Sequence, residues 1–386
     1  MPRYAAARLA GSLSPGAGGR VGPLRLVDQD EPALPGDGWH RVRPLLAGIC
    51  GSDLSTVDGH SSRYFEEIVS FPFTPGHEVV GLLDDDTRVV LEPVLGCSAR
   101  SLKPLCPSCA SGQTGDCQHV AFGALAPGLQ TGYCADTGGG WGAVLVAHES
   151  QLHRVPAHMS DEAAVMIEPA ACAVHAALAA AGGSDLSGAT VVVLGAGTLG
   201  LCTLAALRTF ALPGTVIVGA KHREQRELAR SLGATVVADP DEVIRAVRRA
   251  TRSMAVGERL TGGADVVLDC VGSADSLGSA LTLVRPRGRI VLVGMPGRVS
   301  VDLTPLWHRE IALVGTYAYG SEPATAVAAG GRRTFSLAMD LVTEADLGRL
   351  VSARYPLERF ADAIAHAANA GRRGAVKVVF DLRLRG

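Results

Sequence analysis

Thr190-Val191-Val192-Val193-Leu194-Gly195-Ala196-Gly197-Thr198-Leu199-Gly200 is the stretch that decides the fold. The run from Val191 to Leu194 is apolar without alternation, as a strand buried on both faces requires. A glycine pattern follows at once, and the residues beyond it, through Leu207, suit a helix. Glycine serves at Gly195 for a tight turn, at Gly197 where a pyrophosphate approaches the backbone, and at Gly200 where helix meets strand. The amides of Thr198 and Leu199 open the helix, whose dipole favours phosphate charge. A glycine triplet alone is weak. With a strand before it, and a helix and second strand after it, it implies a dinucleotide site.

The second strand, Thr215 to Val218, ends in Gly219-Ala220-Lys221-His222-Arg223. An acidic residue about 20 positions after the glycine motif would hold the ribose hydroxyls of NAD. Here Ala220 provides none, while Lys221 and Arg223 offer charge to a 2′-phosphate, so NADP is favoured. The plainer reading is a solvated basic turn at the start of a helix.

Further outward, a charged helix spans Arg223 to Leu232. Apolar runs follow at Ala234–Ala238, Asp265–Asp269, Arg289–Val293 and Ile311–Val314. Strands alternating with helices give a doubly wound parallel sheet over residues 170–319. The part before residue 169 has no helical rhythm. Short apolar runs such as Arg88–Leu91 and Ala143–Val146 lie between Gly, Pro and Asp clusters, as in a strand-and-loop domain. Residues 320–386, with a helix over Leu357–Ala370 and a strand over Val376–Phe380, are expected to return to that first domain, giving it residues 1–169 and 320–386. No internal repeat or low-complexity tract is visible beyond a glycine-rich segment near the N-terminus.

Composition agrees with two globular domains. The chain has 386 residues, 47% hydrophobic and 19% charged, enough to bury large cores. Lys plus Arg number 36 against 38 Asp plus Glu, so no basic surplus points to nucleic acid or an anionic membrane. The longest apolar stretch, Val191 to Leu207, is interrupted by the glycine motif and falls short of about 20 spanning residues. The N-terminus lacks the apolar core of a secretory signal. Nine cysteines, clustered rather than spread, suggest metal in a reducing compartment, and a cytoplasmic location is expected.

Four of those cysteines, Cys97, Cys106, Cys109 and Cys117, share one loop. Cys106-Pro107-Ser108-Cys109 has the gap that lets two thiolates reach one tetrahedral zinc, and the outer two complete a closed, structural site. A second set is scattered: Cys50 in Gly48-Ile49-Cys50-Gly51-Ser52-Asp53, His77 in Pro75-Gly76-His77-Glu78, and Glu168 in Ile167-Glu168-Pro169. Thiolate, imidazole and carboxylate make a mixed site that can leave zinc positions open. Singly each has a duller reading: Cys50 as a small core residue, His77-Glu78 as an ordinary turn. Spacing alone does not join them.

Taken together, these segments resemble the zinc-containing medium-chain dehydrogenase/reductase superfamily, in its polyol and threonine dehydrogenase-like branches. The resemblance extends to Gly263-Ala264-Asp265-Val266-Val267-Leu268-Asp269-Cys270-Val271-Gly272 and Gly288-Arg289-Ile290-Val291-Leu292-Val293-Gly294. It implies a chaperonin-10-like, partly open β-barrel (the GroES-like catalytic domain), split by insertion of a Rossmann cofactor domain. It implies two zinc ions per chain. Cys50 and His77 would be catalytic zinc ligands, with Glu78 and Glu168 binding directly or through water, and Cys172 as a runner-up. Asp53 would orient the metal-bound histidine, and Ser52 would pass the substrate proton. Val271, Gly272, Val293 and Gly294 join the cofactor-binding set.

Two departures stand out. Eight residues separate Cys97 from Cys106, more than is usual in the family. Ser55 stands where many relatives carry a relay histidine, which leaves water or another base, such as His60, at the outer end of the proton path. The reading is an NADP-preferring zinc alcohol dehydrogenase or carbonyl reductase, working as a homodimer or homotetramer on a small alcohol or carbonyl substrate. Its rivals are an NAD-dependent polyol, sugar or amino-alcohol dehydrogenase and, outside enzymes, an NADPH-binding redox sensor.

Overall fold

The apolar run at Thr190–Leu194 forms the strand expected of it, and one of the chain's two units is arranged around it. In this computed structural model, which describes residues 2–257, 259–323 and 332–384, five more strands join it in one sheet. Their order across the sheet is Ala312–Gly315, Val284–Leu292, Ala264–Asp269, Thr190–Leu194, Thr215–Gly219 and Val236–Ala238. Every neighbouring pair is parallel. Val192 belongs to a core with Val243, Val247, Leu277 and Leu281, while Val191 and Val193, which alternate with it, are buried on the opposite face. The strand order reverses between Thr190–Leu194 and Ala264–Asp269. At such a switch point the carboxyl ends of the strands open a crevice.

The other unit is built on an antiparallel sheet whose longest strand is Trp39–Gly48. Its first half pairs with Leu145–His148, and its second half lies between Val79–Leu82 and Lys377–Asp381. A register shift between Pro44 and Leu46 falls where proline cannot donate to the ladder. Beyond Val79–Leu82 come Arg88–Leu91 and Leu152–Arg154, and Val351–Tyr355 runs parallel to Lys377–Asp381 on the far flank. The core under this sheet includes Ala47, Ile49, Trp141, Ile364, Val378 and Phe380.

The first unit contains residues 1–168, 319–321 and 346–386, and the second 169–318 and 322–345. The sequence reading gave all of 320–386 to the first. The helix Thr334–Glu344 goes instead with the parallel sheet's unit, held there by a buried polar anchor. Glu322 accepts the Thr334 hydroxyl at 2.8 Å and meets His175 Nδ1 at 2.8 Å. At the N-terminus, where no element was expected, a helix spans Pro2–Leu13 and a short one Gly18–Val21. Among the described residues, no helix is long and apolar enough to cross a membrane.

Candidate metal centres and cofactor turn

Cys50 caps the helix Gly51–Val57, and its amide donates to Asp53 Oδ2 at 2.9 Å. The other Asp53 oxygen lies 3.4 Å from His77 Nδ1, with both side chains buried. His77 and Glu78 enter just ahead of the strand Val79–Leu82. Gly76 makes that entry possible: its φ is +98°, and a Cβ there would lie 2.5 Å from the Trp141 ring. One donor atom from each of Cys50, His77 and Glu78 lies within 4.8 Å of the others. This joins Cys50 to the His77-Glu78 pair, which spacing alone could not connect.

Glu78 is also paired with Lys377, from the last strand, and Lys377 Nζ donates to the Ile49 carbonyl at 3.3 Å. Burial disfavours the charge on Lys377, but the Glu78 carboxylate outweighs it and raises the lysine's pKa. His77 behaves alike. Burial opposes its charge, and Asp53 overrides this to hold its pKa well above the ordinary imidazole value. Glu168 stands outside the 4.8 Å group and accepts the Tyr319 hydroxyl at 3.0 Å. Burial, with the neighbouring Glu78 charge adding to it, pushes its carboxyl up to about 7. Cys172 is on the helix Ile167–Ala181, counted with the second unit, and is not among the grouped donors.

The residues suit a metal. Asp53 Oδ1 and His77 Nδ1 are buried and form no hydrogen bond of good geometry. A histidine ligated through Nε2 carries its proton on Nδ1, which here faces that carboxylate. Ser52 lies beside Tyr133, near enough to influence its phenol. From Tyr133 the hydroxyls continue to Thr56 Oγ1 at 3.3 Å and from there to Ser61 Oγ at 2.9 Å. His60 is exposed, and its amide donates to the Ser55 carbonyl.

Cys97, Cys106, Cys109 and Cys117 bring their sulfurs within 4.8 Å of one another. Backbone amides of Cys97, Cys106, Cys109 and His119 donate to these sulfurs, each at 3.4 Å. Burial raises the Cys106 thiol, yet amide donors outweigh it and bring its pKa down to about 6. Burial pushes Cys109 and Cys117 up, so full ionisation of the set calls for a cation. The extra length between Cys97 and Cys106 carries Arg100, which is fully buried. Its guanidinium donates to the carbonyls of Leu95, Phe122, Leu125, Ala126 and Gly128.

The glycine turn matches its chemistry position by position. Gly195 has φ +92°, and a Cβ on Gly200 would sit 2.0 Å from the Gly195 carbonyl oxygen. A Cβ on Gly197 would meet nothing within 4 Å, leaving room for a phosphate to approach the backbone where the helix Thr198–Ala206 begins. Asp269 Oδ1 accepts the amides of Val271 and Gly272, and its carbonyl accepts those of Val293 and Gly294. Ala220 is buried and Lys221 exposed, while Arg223 pairs with Glu227 at 2.9 Å. Arg226 donates to the carbonyls of Ala220 and Lys221 and pairs with Asp239.

An alcohol dehydrogenase GroES-like domain matches residues 36–157, and a zinc-binding dehydrogenase domain matches residues 198–344. The chain belongs to the zinc-containing medium-chain dehydrogenase/reductase superfamily. It is 29% identical to a sorbitol dehydrogenase of Arabidopsis thaliana over 90% of each chain. An L-idonate 5-dehydrogenase of Vitis vinifera is 28% identical, over 89% of this chain and 87% of the other. Among solved structures, a zinc-binding dehydrogenase of Sinorhizobium meliloti 1021 bound to NADP has a TM-score of 0.68 and 25% identity, covering 92% of this chain and 95% of that one. Members of this superfamily are oxidoreductases acting on CH–OH groups.

Within that superfamily frame, sequence reasoning missed Lys377, Tyr133, Tyr319 and Arg100. A fully buried arginine or lysine is rare without partners, and here the partners come from distant parts of the chain. The one usable signal was negative: Ser55 in place of a histidine called for another route outward, and the Tyr133–Thr56–Ser61 hydroxyls lie beside Ser52.

Proposed function

We propose that the chain is a zinc-dependent dehydrogenase that moves a hydride between a nicotinamide cofactor, NADP in preference to NAD, and a polyol or sugar alcohol paired with its keto form. The observation that carries this reading is the grouping of Cys50, His77 and Glu78 beside the helix turn that bears Ser52. The sorbitol and idonate dehydrogenases it resembles support the polyol class, which the sequence reading ranked behind a broader alcohol or carbonyl pair. Ala220 in place of an acid, with Lys221 beside it, supports NADP.

When bound, zinc supplies Lewis acidity toward the alcohol oxygen, and the nicotinamide takes up or returns the hydride. The chain's own residues do the rest. Cys50 and His77, with Glu78, hold the metal, and Glu168 stands close enough to sense their charge. Asp53 fixes the His77 ring. Ser52 takes the proton leaving the substrate hydroxyl, and Tyr133, Thr56 and Ser61 offer it a way outward in place of a relay histidine. Cys97, Cys106, Cys109 and Cys117 hold the second, structural zinc.

Initial rates across sugar alcohols, sugar acids, simple secondary alcohols and ketones, each with NADP and NAD, test this reading. Polyols turned over faster than simple alcohols, with activity lost on chelation and restored by zinc, is the expected result. Dinucleotide binding without turnover by the zinc-loaded protein would overturn it in favour of a redox sensor.

A further inference from the structure

Gly11, Gly16, Gly18 and Gly19 crowd the N-terminal segment, yet neither the metal centres nor the cofactor turn uses them. The segment lies ahead of the GroES-like match, which begins at residue 36. Its two helices rest on the end of the Gly51–Val57 helix and on the helix Phe360–Ala368. The centre of this seat is polar. Asp58, directly after the Gly51–Val57 helix, is only 6% exposed. Its two oxygens accept different amides, Gly16 N–H at 2.8 Å and Gly18 N–H at 2.9 Å. Hydrogen bonds to an ionised acceptor are among the stronger ones.

Glycine is required around that carboxylate. A Cβ on Gly18 would lie 2.3 Å from the Val57 carbonyl oxygen, and one on Gly11 would lie 2.7 Å from Asp58 Cβ. Gly16 has φ +83°, in the left-handed region. The Tyr4 hydroxyl donates to the Gly59 carbonyl at 3.1 Å, and Asn369 Nδ2 donates to the Pro15 carbonyl at 3.1 Å.

The helix held in this way has seven residues, and its opposite end carries Cys50, Ser52 and Asp53. A helix this short has little stability of its own. The placement of its first turn therefore depends on what grips its last. We infer that residues 2–22, through Asp58, are a built-in clamp that sets the position of the Gly51–Val57 helix, and that Asp58 is a positioning residue for Cys50 and Ser52. The catalytic consequence rests on the dehydrogenase reading above; the mechanical one does not.

The test uses the full chain with Asp58→Asn, Gly18→Ala and, as a control on the same segment, Arg20→Ala, which breaks only the exposed pair with Asp362. Amide hydrogen exchange is followed over residues 2–22 and 50–57, beside kcat, KM and dinucleotide affinity at a temperature well below melting. The clamp predicts faster exchange in both segments for Asp58→Asn and Gly18→Ala, with the parallel sheet unaffected. It also predicts a fall in kcat of about tenfold or more at unchanged dinucleotide affinity. Arg20→Ala should match the parent. Faster exchange confined to 2–22, or parental kcat with both segments loosened, would overturn the positioning role. Should Asp58→Asn fail to fold, Gly18→Ala decides the matter, since it leaves the carboxylate in place. A parent without dehydrogenase activity would sink the enzymatic reading, while the exchange data would still judge the clamp.

Discussion

Lys377 and Glu78 meet over Gly48. A Cβ on that glycine would lie 2.0 Å from Glu78 Oε2 and 2.8 Å from Lys377 Cε, so the buried ion pair fills the space a side chain would need. Lys377 opens one neighbour of Trp39–Gly48 and Glu78 directly precedes the other, Val79–Leu82, so the pairing of that sheet brings the two together. Removing one partner of a buried pair leaves an uncompensated charge, which costs about 3–5 kcal/mol. Lys377→Ala is expected to lose stability of that order in denaturant unfolding of the metal-free protein, with Gly48→Ala also destabilising. A loss under about 1 kcal/mol for Lys377→Ala would mean that Glu78 finds another partner.

The two cysteine-bearing centres should separate by experiment. Two zinc ions per chain are expected by elemental analysis. Cys106→Ser should lower thermal stability, because a closed site contributes its binding free energy to the fold of its lobe. Cys50→Ser should leave a folded protein that binds dinucleotide, retains the other zinc and has lost turnover. Near-parental rate constants in Cys50→Ser would remove the catalytic assignment from the Cys50, His77 and Glu78 group.

Ser52→Ala should lower turnover by roughly 100- to 10,000-fold, the usual contribution of a proton relay, with dinucleotide affinity little changed. Tyr133→Phe removes the next hydroxyl outward and should cause a smaller loss. Burial pushes the Tyr133 phenol up, so the group stays protonated and serves as a hydrogen-bonded link. An unaltered pH–rate profile in Ser52→Ala would count against the relay. A Tyr133→Phe variant as slow as Ser52→Ala would shift the principal role to the tyrosine.

How far these features could be read from sequence follows from how local they are. The turn from Gly195 to Gly200 was legible because strand, glycines and helix are contiguous and each glycine has its own steric reason. The four-cysteine loop was legible because its cysteines span only 21 residues, from Cys97 to Cys117. Cys50 and the adjacent pair His77-Glu78 come from separate segments and were joined only by resemblance. Lys377 lies 299 positions beyond Glu78, and no local pattern marks that contact. The helix Thr334–Glu344 was misassigned for a related reason: the parallel sheet was complete without it, and its tie through Glu322 to His175 spans 147 positions. Arg100 went unremarked, since nothing nearby in sequence announces the carbonyls that surround it.

Cofactor choice gives the last prediction. Ala220 ends the second strand buried and without charge, so nothing there accepts ribose hydroxyls or repels a 2′-phosphate. Of the two cations the sequence offered, Arg223 is already paired with Glu227, whereas Lys221 is exposed at the turn. Arg226 holds that turn by its bonds to the carbonyls of Ala220 and Lys221, so replacing Lys221 should leave the backbone in place. A hydrogen bond to a charged group contributes about 1.5–3 kcal/mol, so Lys221 alone would favour NADP by roughly 10- to 100-fold. Ala220→Asp combined with Lys221→Ile should reverse the preference, because the new carboxylate attracts ribose hydroxyls and repels the phosphate together. The measurement is kcat/KM with both cofactors in the parent and the double variant. Glu227→Ala, which releases Arg223, should strengthen the parent's preference for NADP. A parent that prefers NAD tenfold, unchanged by Glu227→Ala, would leave Lys221 and Arg223 as solvated charges with no part in cofactor choice.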